Sequence, residues 1–236
     1  MPRKNPFTRL LSTLGLTLLS LAAIAADSPV NLQIPVLTGV PQLADFNGMQ
    51  PVTELARQLV KVDDLVQRLP TNGAAASQRT EVYLGYDSKT LYAFFLAFDT
   101  NPELIRANMS SRENIAGDDS VELTIDTFND QRSAYSFVVT PLGIQLDARW
   151  TEGASNRAGL DTTWEAVWDS DGELTDQGYI VRISIPMAGL RFPGDVEQLW
   201  RIQVGRKIPR LSEEVYWPAY SLELEGRLNQ IKRGKW

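Results

Sequence analysis

The 236-residue sequence contains no cysteine and no histidine. Without them, Ser-His-Asp and Cys-His nucleophile systems lose their base or their thiol. Zinc sites built on imidazole or thiolate and haem sites held by histidine lose their ligands. What remains is carboxylate chemistry: acid/base pairs of the glycosidase type, or Ca²⁺ held by oxygen. The lack of cysteine also excludes disulfides and a lipid-modified N-terminal cysteine, so stability must come from packing. Beyond the N-terminus no apolar run is long enough to cross a bilayer.

The N-terminus has the order of a secretory leader: Arg3, Lys4 and Arg9, an apolar run from Leu10, then the small-x-small triplet Ala23-Ile24-Ala25. The run is diluted by Ser12, Thr13, Gly15, Thr17 and Ser20. Residues 1–25 are therefore expected to be a cleaved signal peptide rather than an anchor, and the mature chain to be periplasmic or secreted with no transmembrane segment. Losing three basic residues would take the net charge from −6 to about −9. An acidic exported chain is a poor partner for nucleic acid or anionic lipid.

Residues 26–75 begin with a Pro- and Gly-rich stretch that reads as an extended arm. Leu55, Leu59, Val62, Leu65 and Val66 then fall at helical spacing, so part of 52–69 is expected to be a short helix. From about 76 to 230 the pattern is β. Segments 79–86, 90–99, 120–126, 134–140, 143–150, 162–170, 178–186, 199–208 and 214–220 read as strands, with turn residues such as Asp171-Gly172 between them. The stretch 90–99 is apolar on both faces, as a central strand is. Many short strands with little helix predict an all-β antiparallel sandwich with an N-terminal extended arm and a short tail, 231–236.

Within 117–126, "GDDSVELTID", alternation puts Val121, Leu123 and Ile125 on one face and Ser120, Glu122, Thr124 and Asp126 on the other. The acidic face is expected to be wet. Glu122 is then either a solvated residue paired with Arg149 or Arg206, or a ligand contact. A catalytic pair would need a second carboxylate such as Asp147 or Glu81 close by. Asp118 and Asp119 just before the strand are candidates for Ca²⁺, or for turn carboxylates that accept backbone N–H groups. A sugar site needs flat aromatic faces as well as charged hydrogen-bonding groups. Trp164 and Trp168, four residues apart on one face of an expected strand with Ala166 between them, are candidates for a platform or for core; Trp150 and Trp217 lie at strand ends.

The ordered set "TEVYLGYDSKTLYAFFLAFDTNPE", "DDSVELTIDTFND", "GYIVRISIPMAGLRF" and "WRIQVGRK" resembles carbohydrate-binding module family 9. "DTFNDQRSAYSFVVTPLGIQLDA" and "TTWEAVWDSDG" resemble a bacterial branch in which such a module precedes an outer-membrane-type barrel. The resemblance implies a jelly-roll sandwich over 76–230 that binds an oligo- or polysaccharide without cleaving it, with structural calcium in some members and a barrel protein as an alternative partner. It puts Glu122 at the position that takes sugar hydroxyls. The family's stacking tryptophan before the motif falls on Ala116; its arginine beside Phe137 is replaced by Ser136 or Val138; its second tryptophan has no counterpart directly after Trp217. The expected ligand set is thus Glu122, Trp150, Trp164, Trp168, Asp147, Arg206 and Trp217, with Asp118 and Asp119 for calcium.

Overall fold

The computed structural model describes residues 32–153, 159–194 and 198–235. The expected signal peptide lies outside them.

The strands are β1 (Leu32–Gln33), β2 (Val60–Val62), β3 (Val66–Leu69), β4 (Thr80–Tyr86), β5 (Thr90–Phe98), β6 (Ser120–Asp126), β7 (Ser133–Val139), β8 (Gln145–Thr151), β9 (Leu160–Asp161), β10 (Asp169–Thr175), β11 (Gly178–Pro186), β12 (Leu199–Ile208), β13 (Glu213–Trp217) and β14 (Lys232–Lys235). Among the described residues they form two sheets. The nine-stranded sheet runs β1-β14-β12-β6-β7-β8-β9, with β13 beside β12 and β3 beside β13; the five-stranded sheet runs β10-β11-β5-β4-β2. Apart from a short parallel pairing of β1 with β14, the ladders are antiparallel. The chain is an all-β antiparallel sandwich of jelly-roll type.

Period-two alternation explains the layers. Val121, Leu123 and Ile125 of β6 meet Val82, Leu84, Phe95, Val181 and Ile183 of the opposing sheet in the main core. The other face of the five-stranded sheet is apolar too. Tyr83, Tyr92, Phe94, Leu96 and Ile180 pack there under Leu37, Phe46, Met49, Ala56 and Leu59. The N-terminal arm is therefore a third layer, and it explains why β5 is apolar on both faces. Helical spacing in 52–69 yields only α1 (Glu54–Gln58), capped by the Thr53 hydroxyl, which accepts from the Ala56 N–H at 3.2 Å. Val60 and Val62 then pair with β4, where β-branched side chains fit a pleated surface.

Two other expectations are corrected. Residues 162–168 form no strand; β10 starts at Asp169, and the chain reverses at Asp176-Gln177. Gly172 lies within β10 because a Cβ there would stand 2.4 Å from the Pro141 carbonyl oxygen, so it marks a close approach and not a turn. The tail carries β14, which pairs with β12. No helix among the described residues is long and apolar enough to cross a membrane, which says nothing of membrane strands.

Candidate functional site

The outward face of the nine-stranded sheet carries Ser120, Glu122 and Thr124 of β6. Beside them stand Ser136 and Val138 of β7, Leu146 and Trp150 of β8, Gln203, Gly205 and Lys207 of β12, and Glu214 and Tyr216 of β13. The face is not wet. Glu122 is 8% exposed, Thr124 and Asp126 are sealed, and the segment between β13 and β14 lies against it. What stays open is a groove of about 530 Å³. Glu122 and Arg227 line it together with Trp150, Tyr216 and Tyr220, the aliphatic side chains of Val138, Leu146 and Leu160, and a wall from the loop 113–118.

Arg227 organises the floor. Its Nη2 donates to Glu122 Oε1 at 2.8 Å and to the Thr124 hydroxyl at 3.2 Å, and its Nε donates to Gln203 Oε1 at 2.9 Å. Trp150, Tyr220 and Tyr216 surround the guanidinium, with ring centroids 5.3, 5.4 and 5.5 Å away. Ser136 and Thr124 donate to the same Glu122 oxygen at 2.7 and 2.8 Å. Burial pushes the Glu122 carboxyl up, but the Arg227 guanidinium and these hydroxyls outweigh it and hold it down at about 2. Desolvation works against the Arg227 charge in turn; Glu122 and the two tyrosines overcome it and raise its pKa. The pair is ionised across the physiological range. A second ion cluster sits on the rim, where Glu214 pairs with Arg68 at 2.6 Å and Lys207 at 3.4 Å.

The segment bearing Arg227 is fastened at Glu152. Its Oε2 accepts from the backbone N–H groups of Arg227 and Leu228 at 3.1 and 2.9 Å and from the Trp150 indole at 3.4 Å. Leu228 and Ile231 pack with Ala134 and Trp150 beneath.

Of the candidate ligand residues, the structure brings Glu122 and Trp150 together at this groove. Trp168 is 5% exposed and packs edge-on to Phe137, with centroids 5.0 Å apart, inside the sandwich. Trp164 stacks obliquely on Tyr135 at 4.8 Å against the same core. The expected indole platform is core because 162–168 loops back over the inner face. Trp217 also packs against that core. Asp147 pairs with Phe137, on the face opposite Glu122; it is fully buried, and it accepts from Arg112 and from the Ala166 N–H, both at 2.5 Å. It cannot face Glu122 as a catalytic partner. Glu81 belongs to the other sheet and binds Arg79 and Lys61. Arg206 touches the groove lining, but its guanidinium is buried, donating to the Phe98 carbonyl at 2.7 Å and facing Asp99 at 3.4 Å. Neither it nor exposed Arg149 pairs with Glu122. Asp118 lines the groove wall and accepts from the Asn108 backbone and side chain; Asp119 accepts from the Arg106 N–H at 3.2 Å. Both accept loop N–H groups, Asp119 Oδ2 is sealed without a partner, and among the described residues no group of three or more acidic side chains gathers around them.

Sequence reasoning missed Arg227, Tyr216, Tyr220 and Glu152. Arg227 lies 105 residues from Glu122 in the chain, in a stretch without strand periodicity, so no local spacing announces it. Ala116, Ser136 and Val138 line the groove as well.

No protein-family model matches the chain, and no curated protein matches it. Two solved structures of family 9 carbohydrate-binding modules from Caldicellulosiruptor kristjanssonii, one with glucose and one with cellotriose, are 14% and 16% identical to it. They cover 86% and 78% of this chain and 94% and 82% of their own, with TM-scores of 0.49 and 0.48. A crystal structure of a proposed carbohydrate-binding protein from Bacteroides uniformis covers 88% of this chain and 99% of its own at 14% identity and a TM-score of 0.64, and the sandwich fold is what the two chains share.

Proposed function

We infer that the chain is a non-catalytic saccharide-binding module whose site is the groove over β6, β7, β8, β12 and β13. The observation that carries this reading is the joint presence, in one open groove, of a fixed Glu122–Arg227 ion pair and the aromatic side chains Trp150, Tyr216 and Tyr220. Aromatic faces cover the C–H side of a pyranose while charged groups take its hydroxyls. The carbohydrate-binding role proposed for the Bacteroides uniformis protein of the same fold supports it. Hydrolysis has less support. Glu122, Glu214 and Asp118 in the groove are each committed to protein partners, and the Arg227 guanidinium holds the Glu122 carboxyl well below the range of a general acid. Export to the periplasm or beyond, after removal of residues 1–25, belongs to the same reading. An open groove of this size gives modest affinity, about micromolar or weaker.

The test is isothermal calorimetry of the folded chain with a panel of soluble oligosaccharides, beside Trp150→Ala. Saturable heats that the variant loses support the reading. A folded wild-type chain that binds no member of the panel overturns it.

A further inference from the structure

Arg227 spends only two of its three nitrogens on the protein. Nε goes to Gln203 and Nη2 to Glu122 and Thr124. Nη1 donates to no described residue, yet it is not among the sealed, partnerless atoms, as the Nε of Arg206 is. Glu122 has the complementary pattern. Thr124, Ser136 and Arg227 all donate to Oε1, which leaves Oε2 unused and likewise unsealed. Both residues line the groove. The groove floor therefore offers one charged donor and one charged acceptor side by side, each locked by its partner's other atom.

Two adjacent sugar hydroxyls are the chemistry that answers such a pair. One hydroxyl donates to Oε2 while its neighbour accepts from Nη1. A lone alcohol satisfies only half of it. Charge decides the rest. Arg68 and Lys207 share the one carboxylate of Glu214, Arg227 is matched to Glu122, and Glu113 and Asp118 add negative charge to the wall. Among the described lining residues the four cations face as many carboxylates, with Asp99 behind Arg206, so the groove holds no excess positive charge for the carboxylate of a uronic acid. Trp150 and Tyr220 stand beside the Arg227 guanidinium and line the groove, so a ring whose hydroxyls lie near its plane can turn its C–H face to them.

We propose that Arg227 is the specificity-determining residue of the groove, and that with Glu122 it reads a vicinal diol on a neutral pyranose. This rests on the saccharide reading above and adds the hydroxyl pattern and the residue that selects it. Arg227 sits outside the sheet, on the segment that Glu152 fastens.

The experiment is a ligand–variant cycle. Methyl glycopyranosides of glucose, galactose and mannose, and the 2-, 3- and 4-deoxy analogues of whichever binds, are titrated into wild type and Arg227→Lys. Lysine keeps a cation for Glu122 and removes the Nη1 donor. Wild type is expected to lose about tenfold in affinity when either member of one adjacent pair is deleted, the worth of one hydrogen bond to a charged group. Arg227→Lys is expected to lose about tenfold for the parent sugar and nothing further for the analogue lacking the hydroxyl that Nη1 serves. Glucuronate is expected to bind no better than glucose. Equal losses for every sugar on Arg227→Lys, or a wild type indifferent to every single deletion, overturn this inference alone. A wild type that binds no parent sugar overturns the site reading with it. The wild-type deoxy series needs no variant, so poor folding of Arg227→Lys leaves the inference falsifiable.

Discussion

Replacing Arg227 by methionine keeps the length of the side chain and removes the charge that holds Glu122. The carboxyl of Glu122 lies at about 2 in the folded chain against an ordinary 4.5, a difference worth on the order of 3 kcal/mol. Because the folded value is the lower one, this stabilisation is fully present above about pH 4.5 and is lost as pH falls towards 2. Arg227→Met removes the attraction and leaves a buried carboxylate with only the Ser136 and Thr124 hydroxyls. Breaking one side of a buried pair costs about 3–5 kcal/mol. Urea unfolding at pH 7 should show a loss of that size. At pH 3.5 the gap to wild type should narrow, because the wild type is giving up its own share. Glu122→Gln combined with Arg227→Met should recover at least half the loss, since the charge that needed a partner is gone. A single variant within about 1 kcal/mol of wild type at pH 7, with an unchanged pH profile, would show that the segment yields and lets water reach Glu122, and the account of the groove floor would fail.

The other predictions divide the site from the core. Trp168→Ala should cost about 3–5 kcal/mol in unfolding while the remaining folded protein binds as before; Trp150→Ala should weaken saccharide binding at least tenfold at a smaller stability cost. Glu152→Ala should weaken binding although Glu152 makes no ligand contact, because the Arg227 segment and the Trp150 indole lose their common acceptor; calorimetry beside thermal unfolding checks it. Saccharide affinity should be flat from pH 8 down to about 4, since Glu122 is held at about 2, and a titration midpoint near 6 would contradict that. Adding calcium or a chelator should change neither affinity nor unfolding midpoint, because among the described residues no third acidic side chain stands with Asp118 and Asp119.

The strands were legible where local alternation decides them. β6, β11 and β12 were readable to the residue, because each has an apolar inward row at alternate positions, broken only in β12 by Arg206. The double-sided apolarity of β5 correctly implied cover on both faces, but not that the N-terminal arm supplies one of the covers. The loop 162–168 was misread because Trp164, Ala166 and Trp168 imitate a strand; those side chains instead fill the sandwich from a non-repetitive backbone. The polar row of β6 was placed on the right face, yet its burial was not foreseen. That burial comes from Arg227, a contact between residues far apart in the chain, and nothing in ten residues of alternation reports it. The same is true of the site. Glu122 was legible from its strand and its surroundings in the motif; Tyr216, Tyr220 and Glu152 become site residues only once β13 and the following segment are brought alongside β6 and β8.

The most direct test of the central claim is the indole N–H region of a ¹H–¹⁵N correlation spectrum, recorded while a soluble oligosaccharide from the panel is added. The Trp150 resonance should shift saturably, and those of Trp164 and Trp168 should hold still. Indole shifts confined to Trp164 or Trp168, or none with any sugar in a well-dispersed spectrum, would contradict a saccharide groove on this face of the sheet.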